Sequence, residues 1–215
     1  MSARYRFVFF DVDSTLVTIE GIDVLAKGNP EIVRLTDAAM NGEIALDEVY
    51  GKRLDIIKPT LVEVEALGER YKESLVDGAM ETIATLQQHN VDVHLVTAGI
   101  AQAIEPLAKL LNIPTRAVHA VALKFDEQGN YVDFDRRSFL TRVGGKELVV
   151  RAVLSRSKGK SAFVGDGVSD LETKPAVTRF IGFGGVHTRP RVKENAEVYV
   201  SDPTLRAVLP YLLEP

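Results

Sequence analysis

Short apolar runs alternate along this chain with longer segments whose apolar residues recur at helical spacing. Apolar and β-branched runs predict buried strands, and a spacing of three or four residues predicts helices. Strands are predicted over "RYRFVFF", "VDVHLVT", "SAFVGD", "RFIGFGG" and "AEVYVSD", and a hairpin over "AVHAVALKFDEQGNYVDFD". Helices are predicted over "GAMETIATLQQHN", "AQAIEPLAKLLNI", "KELVVRAVLSRS" and "PTLRAVLPYLL", with Pro106 expected to kink or delay the second. This alternation predicts a doubly wound, mostly parallel α/β sheet.

One part of the chain lacks any strand pattern. From Glu20 to about Ser74 the apolar residues keep helical spacing, and the breaks between segments fall at glycine and proline. Because this block directly follows the first strand, we expect a helical-bundle cap inserted at that point. The predicted domains are therefore an α/β core of residues 1–16 and 77–215 and a cap of residues 17–76.

Composition limits the kinds of partner. The 215 residues suffice for one substantial core and a small second unit. The formal charge is −4 without a basic stripe or patch, which argues against nucleic acid and against an anionic membrane surface. The chain has no cysteine, so disulfides, thiolate nucleophiles and zinc-thiolate sites are excluded, and with only 4 histidines we do not expect a clustered histidine metal site.

Targeting signals are also missing from the pattern. The apolar stretch before Asp11 is too short for a signal peptide, and no run approaches the roughly 20 apolar residues of a membrane span. We therefore expect a cytoplasmic protein of a reducing compartment.

Carboxylates follow two of the predicted strands. Asp11 and Asp13 come directly after "FVFF", and they would share a face if that strand continued through them. Asp166 ends the predicted strand "SAFVGD", and Asp170 follows it. Carboxyl ends of parallel strands meet at one sheet edge, where four carboxylates need a cation. Ligands that are all oxygen favour a hard ion, and Mg²⁺ is the common choice beside phosphate.

Two further groups fit chemistry on a phosphate. Lys146 opens a predicted helix and could neutralise a phosphate oxygen or a nucleophile. Thr97, followed by Ala98 and Gly99, offers a hydroxyl and backbone N–H groups at a strand-to-helix turn, a good anion site. Carboxylates, metal, lysine and hydroxyl together indicate phosphoryl transfer, in which an aspartate can form an aspartyl phosphate.

Each of these residues also has a purely structural interpretation. The aspartates are common in turns, and Lys146 would be a solvated lysine at a helix start. Glu20 would be an ordinary first-turn glutamate, favourable with the helix dipole. Arg53 would pair with Asp47 or Glu48 on the surface. The "GFGG" run lacks the spacing of a phosphate loop and is interpreted as a turn near the site.

The motifs resemble a known family in their order. "DVDSTL" (11–16), Thr97, Lys146 and "GDGVSD" (165–170) are similar to the four motifs of the haloacid dehalogenase superfamily. The segments 11–23, 39–59, 164–173 and 180–202 resemble phosphoserine phosphatases within it. The resemblance implies an α/β core with an inserted cap, and a Mg²⁺-dependent phosphomonoesterase of serine biosynthesis that hydrolyses O-phospho-L-serine through an aspartyl phosphate.

The resemblance also assigns the catalytic and metal-binding roles. It makes Asp11 the nucleophile and a metal ligand. Asp13 becomes the general acid and base, with its main-chain carbonyl on the metal. Asp166 is the remaining side-chain ligand, and Asp170 orients the metal shell.

Substrate-binding roles follow from the same resemblance. Thr97, Ala98, Gly99 and Lys146 would hold the phosphoryl oxygens. Glu20 would pair with the substrate ammonium, and Arg53 with its carboxylate, whose geometry matches a guanidinium fork. The remaining predicted contacts are Met40 and Leu46 on the apolar cap wall and Ser169 beside the substrate.

The chain departs from the family at three places. Thr97-Ala98-Gly99 stands where Ser-Gly-Gly is usual, Ser169 where Asn or Thr is frequent, and Leu46 where Phe is frequent. An alternative function is therefore a phosphatase or phosphotransferase that acts on another small phosphorylated metabolite. A second alternative is a non-catalytic ligand-binding protein on the same fold. Whether the protein is a monomer or a homodimer stays open.

Overall fold

A computed structural model describes residues 3–214. Its strands, in chain order, are β1 (Phe7–Phe10), β2 (Asp92–Ile100), β3 (Val118–Val121), β4 (Leu123–Phe125), β5 (Tyr131–Phe134), β6 (Ser161–Gly165), β7 (Arg179–Phe183) and β8 (Val198–Val200). Six of them form a sheet in the order β3-β2-β1-β6-β7-β8, and every neighbouring pair is parallel. The predicted α/β sheet is confirmed.

Helices flank this sheet. They are α1 (Gly21–Leu25), α2 (Pro30–Met40), α3 (Leu46–Ile57), α4 (Leu61–Glu73), α5 (Ala79–Gln88), α6 (Ala101–Leu110), α7 (Gly145–Leu154), α8 (Val168–Leu171), α9 (Pro190–Asn195) and α10 (Leu209–Leu212). The segment between β1 and α5 holds α1 to α4, which we call the cap helices. None of the helices in the described part is long and apolar enough to cross a membrane.

The strand β1 lies at the centre of the sheet. Phe10 is in register with Leu95 of β2 on one side and with Val164 of β6 on the other. All four residues of β1 are buried, as expected for a central parallel strand covered on both faces. Chain that continues beyond β1, β2 and β6 therefore emerges at one point of the sheet edge.

The cap helices begin at recognisable signals. Asn29 caps α2 by accepting a hydrogen bond from the backbone of Glu31, and Pro30 occupies the first helical position, where a missing N–H costs nothing. Thr60 and Glu63 form a capping box at the start of α4. These signals explain why a segment without strand patterns folds as short helices.

The chain leaves for the cap helices and returns from them at adjacent positions. Val17 and Leu75 form an isolated antiparallel bridge, and the Val76 N–H donates to the Leu16 carbonyl at 2.9 Å. These positions coincide with the predicted boundaries after residue 16 and after residue 76. The division into two domains stays a prediction.

The predicted hairpin is wrong in its first arm. Its residues 118–121 form β3, which pairs in parallel with β2 in the main sheet. Only β4 and β5 pair antiparallel, around a turn in which Asp126 accepts from the N–H groups of Gln128 and Asn130. The apolar pattern of residues 118–121 does not specify a pairing partner, because a strand of the main sheet and a hairpin arm have the same alternation of apolar residues.

Three element ends differ from the predictions. The first strand begins at Phe7 rather than Arg4, and β2 runs to Ile100 with a shift in register after Val96. The closing helix is split into a 3₁₀ turn, Leu205–Val208, and α10, Leu209–Leu212. Pro210 provides the reason, since it lacks the N–H that would continue an α-helical ladder from the preceding turn.

Candidate active site

Three buried carboxylates converge at the carboxyl edge of the sheet. Asp11 follows β1, and its N–H donates to the Val164 carbonyl at 3.0 Å, which holds it beside the neighbouring strand. Asp166 follows β6, and Asp170 lies on α8 just beyond. One carboxylate oxygen from each of these aspartates lies within 4.8 Å of the others. The parallel topology thus brings together residues more than 150 positions apart in sequence.

Asp13 takes a different direction. The strand ends at Phe10, and the chain turns at Val12, whose carbonyl accepts from the N–H of Leu16 at 2.9 Å. The condition for a shared strand face is therefore not met, and the Asp13 carboxylate lies outside the three-aspartate cluster. Its Oδ1 instead accepts from the Gly21 N–H and the Tyr71 hydroxyl, each at 2.7 Å. The contribution of its main-chain carbonyl to a metal stays a prediction.

Lys146 supplies positive charge inside the cluster. Its Nζ lies 2.8 Å from Asp11 Oδ1 and 2.6 Å from Asp170 Oδ1, and its side chain is 5% exposed. Burial opposes the charged form, but the attraction of Asp11 and Asp170 outweighs it and raises the pKa of Lys146. The interpretation of Lys146 as a solvated surface lysine is therefore wrong.

The carboxylates remain short of positive charge. Burial, followed by repulsion from Asp11, raises the pKa of Asp166 to about 7 and that of Asp170 well above its usual range. Asp166 Oδ1 accepts from the Thr15 hydroxyl at 3.0 Å. In the part of the chain that the structure describes, Oδ2 has no hydrogen-bond donor, and it lies 3.6 Å from Arg189 Nε. The buried carboxylates therefore favour the binding of a further cation.

A divalent metal ion is a suitable cation for this cluster of carboxylates. The donors are carboxylate oxygens, the set that hard divalent cations prefer. Asp166 Oδ2 is buried and accepts no hydrogen bond from the described residues, so a bound cation would satisfy it. Both oxygens of Asp170 already have partners, because Lys146 donates to Oδ1 and the Gly167 N–H donates to Oδ2 at 2.9 Å. Asp11 and Asp166 are therefore the side chains best placed to bind the metal.

A tight turn at the end of β2 completes the core side of the site. The Gly99 N–H donates to Thr97 Oγ1 at 2.9 Å, and Thr97 Oγ1 lies 3.5 Å from Asp13 Oδ2. A Cβ at position 99 would lie 3.1 Å from both of these oxygens, which leaves little room for any residue except glycine. The turn thus presents a hydroxyl directly beside Asp13.

One cavity unites the core edge and the cap helices. Leu46 lines it, together with all the predicted catalytic and substrate-contacting residues: Asp11, Asp13, Glu20, Met40, Arg53, Thr97, Ala98, Gly99, Lys146 and Ser169. Asp166 and Asp170 lie outside this lining. Asp166 contacts Arg189, and Asp170 contacts Lys146.

Glu20 and Arg53 contribute opposite charges to the cavity. Glu20 Oε1 accepts from the Ser14 hydroxyl at 2.5 Å, and burial followed by repulsion from Asp13 raises the pKa of Glu20 well above its usual range. Arg53 is buried, and burial lowers the pKa of its guanidinium. Its Nη1 donates to Thr36 Oγ1 at 3.1 Å.

Arg53 has no carboxylate partner of its own in the described part of the chain. In residues 3–214, no carboxylate lies within ion-pair distance of its guanidinium, and its buried Nε has no hydrogen-bond acceptor. The predicted alternative of surface pairing with Asp47 or Glu48 is therefore wrong. A buried, unpaired cation at a cavity wall is costly unless a ligand carries the complementary charge.

Several contacts escaped the sequence analysis. Tyr71 and Tyr50 read as apolar helix positions, yet their hydroxyls donate to Asp13 and to the Ala98 carbonyl, the latter at 2.9 Å. Arg189 lies in a segment that resembled the family, but nothing singled it out. Its Nη1 lies 3.2 Å from Asp37 Oδ1 of the cap helix α2, so it links that helix to Asp166.

This chain resembles known proteins in sequence. The family of haloacid dehalogenase-like hydrolases matches residues 8–173. Phosphoserine phosphatase of Bos taurus is 39% identical over 199 residues, which cover 91% of this chain and 88% of that protein. This chain is thus similar to the bovine protein over nearly its whole length.

Solved structures show the same fold. A phosphoserine phosphohydrolase-like protein from Francisella tularensis superposes with a TM-score of 0.86 at 24% identity, over 98% of this chain and 100% of that one. A phospho-aspartyl intermediate analogue of phosphoserine phosphatase superposes with a TM-score of 0.81 at 24% identity, over 96% of this chain and 98% of that one. With the family match and the bovine relative, this chain belongs to the haloacid dehalogenase-like hydrolases, among the phosphoserine phosphatases.

Proposed function

We propose that this protein hydrolyses O-phospho-L-serine to L-serine and phosphate, with Asp11 as the covalent nucleophile and Mg²⁺ as the metal. The observation that carries the substrate is the buried guanidinium of Arg53, which shares a cavity with Asp11 and has no carboxylate partner within residues 3–214. The relative from Bos taurus bears the name of this activity, and it spans nearly the whole chain.

Two walls of the cavity suit the amino-acid end of phosphoserine. Arg53 offers a planar fork that matches a carboxylate through two hydrogen bonds. Glu20 offers a carboxylate for the ammonium, and an incoming cation would stabilise its charged form. A phosphorylated alcohol without these two charges would leave Arg53 buried and unpaired, so the cavity selects against it.

The chemistry uses the two aspartates in turn. A carboxylate oxygen of Asp11 forms a bond to phosphorus, while the bond from phosphorus to the serine Oγ breaks and Asp13 protonates that oxygen. A water then forms a bond to phosphorus, Asp13 takes its proton, and the Asp11–phosphorus bond breaks to release phosphate. Burial, followed by repulsion from Asp11, raises the pKa of Asp13 to about 6, so both of its forms are accessible near neutral pH.

Other residues hold the phosphoryl group. Lys146 and Thr97 line the cavity beside Asp11 and neutralise or donate to the phosphoryl oxygens. Asp11, Asp166 and the carbonyl of Asp13 would bind the metal, which supplies charge stabilisation for the phosphoryl oxygens. The cap helices exclude bulk water from this reaction.

Metal removal tests the cation. Treatment with EDTA is expected to stop phosphate release, and added Mg²⁺ is expected to restore it, because the cluster needs a hard cation beyond Lys146 and Arg189. Release of phosphate is measured in buffers exchanged through chelating resin, with circular dichroism as the check on folding. Full activity in the chelator with the fold intact would remove the metal from the mechanism. Restoration by Zn²⁺ but not by Mg²⁺ would overturn the choice of ion.

A change at Arg53 tests the substrate. Arg53→Ala is expected to lower kcat/KM for phosphoserine by about 100-fold, because charge-assisted hydrogen bonds to the carboxylate are lost. For phosphoethanolamine, which has the ammonium but no carboxylate, the change should stay within about threefold. Arg34→Ala, at an exposed arginine on the cap helix α2, is the matched control.

A panel of phosphoserine, phosphoethanolamine and other phosphorylated metabolites separates the alternative functions. An equal loss for both substrates in the Arg53 variant would mean that Arg53 does not read the carboxylate. Faster cleavage of another phosphorylated metabolite by the unaltered protein would favour a different phosphatase. No phosphate from any member of the panel would indicate a ligand-binding protein.

A further inference from the structure

The cap helix α4 sends a hydroxyl group to the acid/base residue. Tyr71 is buried, and its O–H donates to Asp13 Oδ1 at 2.7 Å. The Gly21 N–H donates to the same oxygen, also at 2.7 Å. A carboxylate oxygen has two lone-pair sites, so these two donors saturate Oδ1.

The second oxygen of Asp13 is thereby directed to the site. Oδ2 lies 3.5 Å from Thr97 Oγ1, and a Cβ on Gly99 would come within 3.1 Å of it. Thr97 and Gly99 both line the cavity that holds Asp11. Oδ2 is therefore the oxygen of Asp13 that is available to exchange a proton with a substrate or with water.

Close packing explains how Tyr71 reaches this position. Gly68, one turn earlier on α4, lies so near α6 that a Cβ there would be 3.2 Å from Pro106 Cγ and 3.3 Å from the Ala103 carbonyl oxygen. Gly21 leaves the space that the Tyr71 ring end occupies, since any side chain at position 21 would collide with it. Two glycines thus allow one tyrosine to contact Asp13.

We propose that Tyr71 is a positioning residue for proton transfer, which fixes the Asp13 carboxyl so that Oδ2 faces the leaving oxygen. The inference rests on the proposed function, in which Asp13 protonates the departing alcohol. Without the tyrosine O–H, only the Gly21 N–H fixes Oδ1, and the carboxyl spends less time in the productive orientation. The loss falls on esters whose leaving group needs a proton.

Two substrates with different leaving groups test this role in Tyr71→Phe. Phosphoserine releases an alkoxide that must be protonated, whereas acetyl phosphate releases acetate, which leaves as a stable anion. We expect kcat/KM to fall about tenfold or more for phosphoserine and to change by no more than about twofold for acetyl phosphate. Because kcat/KM covers substrate binding and the steps through formation of the aspartyl phosphate, it excludes the later step in which Asp13 takes a proton from water.

The ratio of the two kcat/KM values is the decisive readout. It does not depend on how much of the variant is folded, so a destabilised preparation still gives an answer. Tyr199→Phe is the matched control, because the Tyr199 hydroxyl is buried, has no hydrogen-bond partner among residues 3–214 and lies away from the cavity lining. We expect an unchanged ratio in that control.

The outcomes separate this inference from the proposed function. An unchanged ratio in Tyr71→Phe, with normal cleavage of phosphoserine by the unaltered protein, overturns the positioning role alone. Failure of the unaltered protein to cleave phosphoserine overturns the proposed function. In that case the ratio is measured with whichever alkyl phosphate is cleaved, and a selective loss for that ester still supports the role of Tyr71.

Discussion

Asp11→Asn is expected to abolish phosphate release, with a loss of at least about 10⁴-fold in kcat, because an amide oxygen does not act as the nucleophile toward phosphorus. The substitution keeps the size of the side chain and removes one negative charge from a crowded cluster. The fold should therefore persist, with Lys146 still paired to Asp170 at 2.6 Å. Single-turnover assays with excess enzyme measure the residual rate.

Two further measurements complete the Asp11 experiment. Asp202→Asn, at an exposed aspartate, should retain full activity and serves as the control. The unaltered protein soaked with beryllofluoride and Mg²⁺ should carry an adduct on Asp11, which the variant should lack. Ordinary turnover by Asp11→Asn, or an adduct on a different residue, would mean that the nucleophile lies elsewhere.

Lys146→Met is expected both to stop phosphate release and to destabilise the fold. Lys146 is the cation shared by Asp11 and Asp170, and all three side chains are at most 5% exposed. Removing one partner from a buried ion pair leaves uncompensated charge and typically costs about 3–5 kcal/mol. We expect a loss of that size in the free energy of unfolding, measured by urea denaturation in EDTA, together with loss of activity at saturating Mg²⁺.

The control for this second experiment is an exposed lysine. Lys160→Met should leave both the urea midpoint and the activity unchanged. An unaltered midpoint in Lys146→Met would show that the carboxylates do not need the lysine as a counter-ion. Retained phosphate release would exclude Lys146 from phosphoryl binding.

Much of the fold could be predicted because its signals are local. The apolar run that becomes β1 and the capping residues around Thr60 specify elements within a few positions of themselves. The pairing of β3 with β2 could not be predicted in this way. It depends on which apolar face of a distant segment is free, and the sequence of 118–121 suits a hairpin arm equally well.

The candidate site divides along the same line. Asp11 and Asp166 could be predicted to meet because they follow strands, and parallel strands place their carboxyl ends at one edge. Tyr71 could not be associated with Asp13, 58 positions away, because a tyrosine within an amphipathic helix is also a normal core residue. Arg189 contacts Asp37 across 152 positions, and only the packing of the cap helices onto the core brings them together.

The bridge between Val17 and Leu75 has a consequence for how such proteins diversify. Since Leu16 and Val76 are already hydrogen-bonded neighbours, the intervening segment is a closed loop from the standpoint of chain entropy. Doubling the length of such a loop costs only about 0.6 kcal/mol. Under the proposed function, cap helices of a different total length inserted at this junction would change the accepted leaving group and leave the aspartate cluster intact.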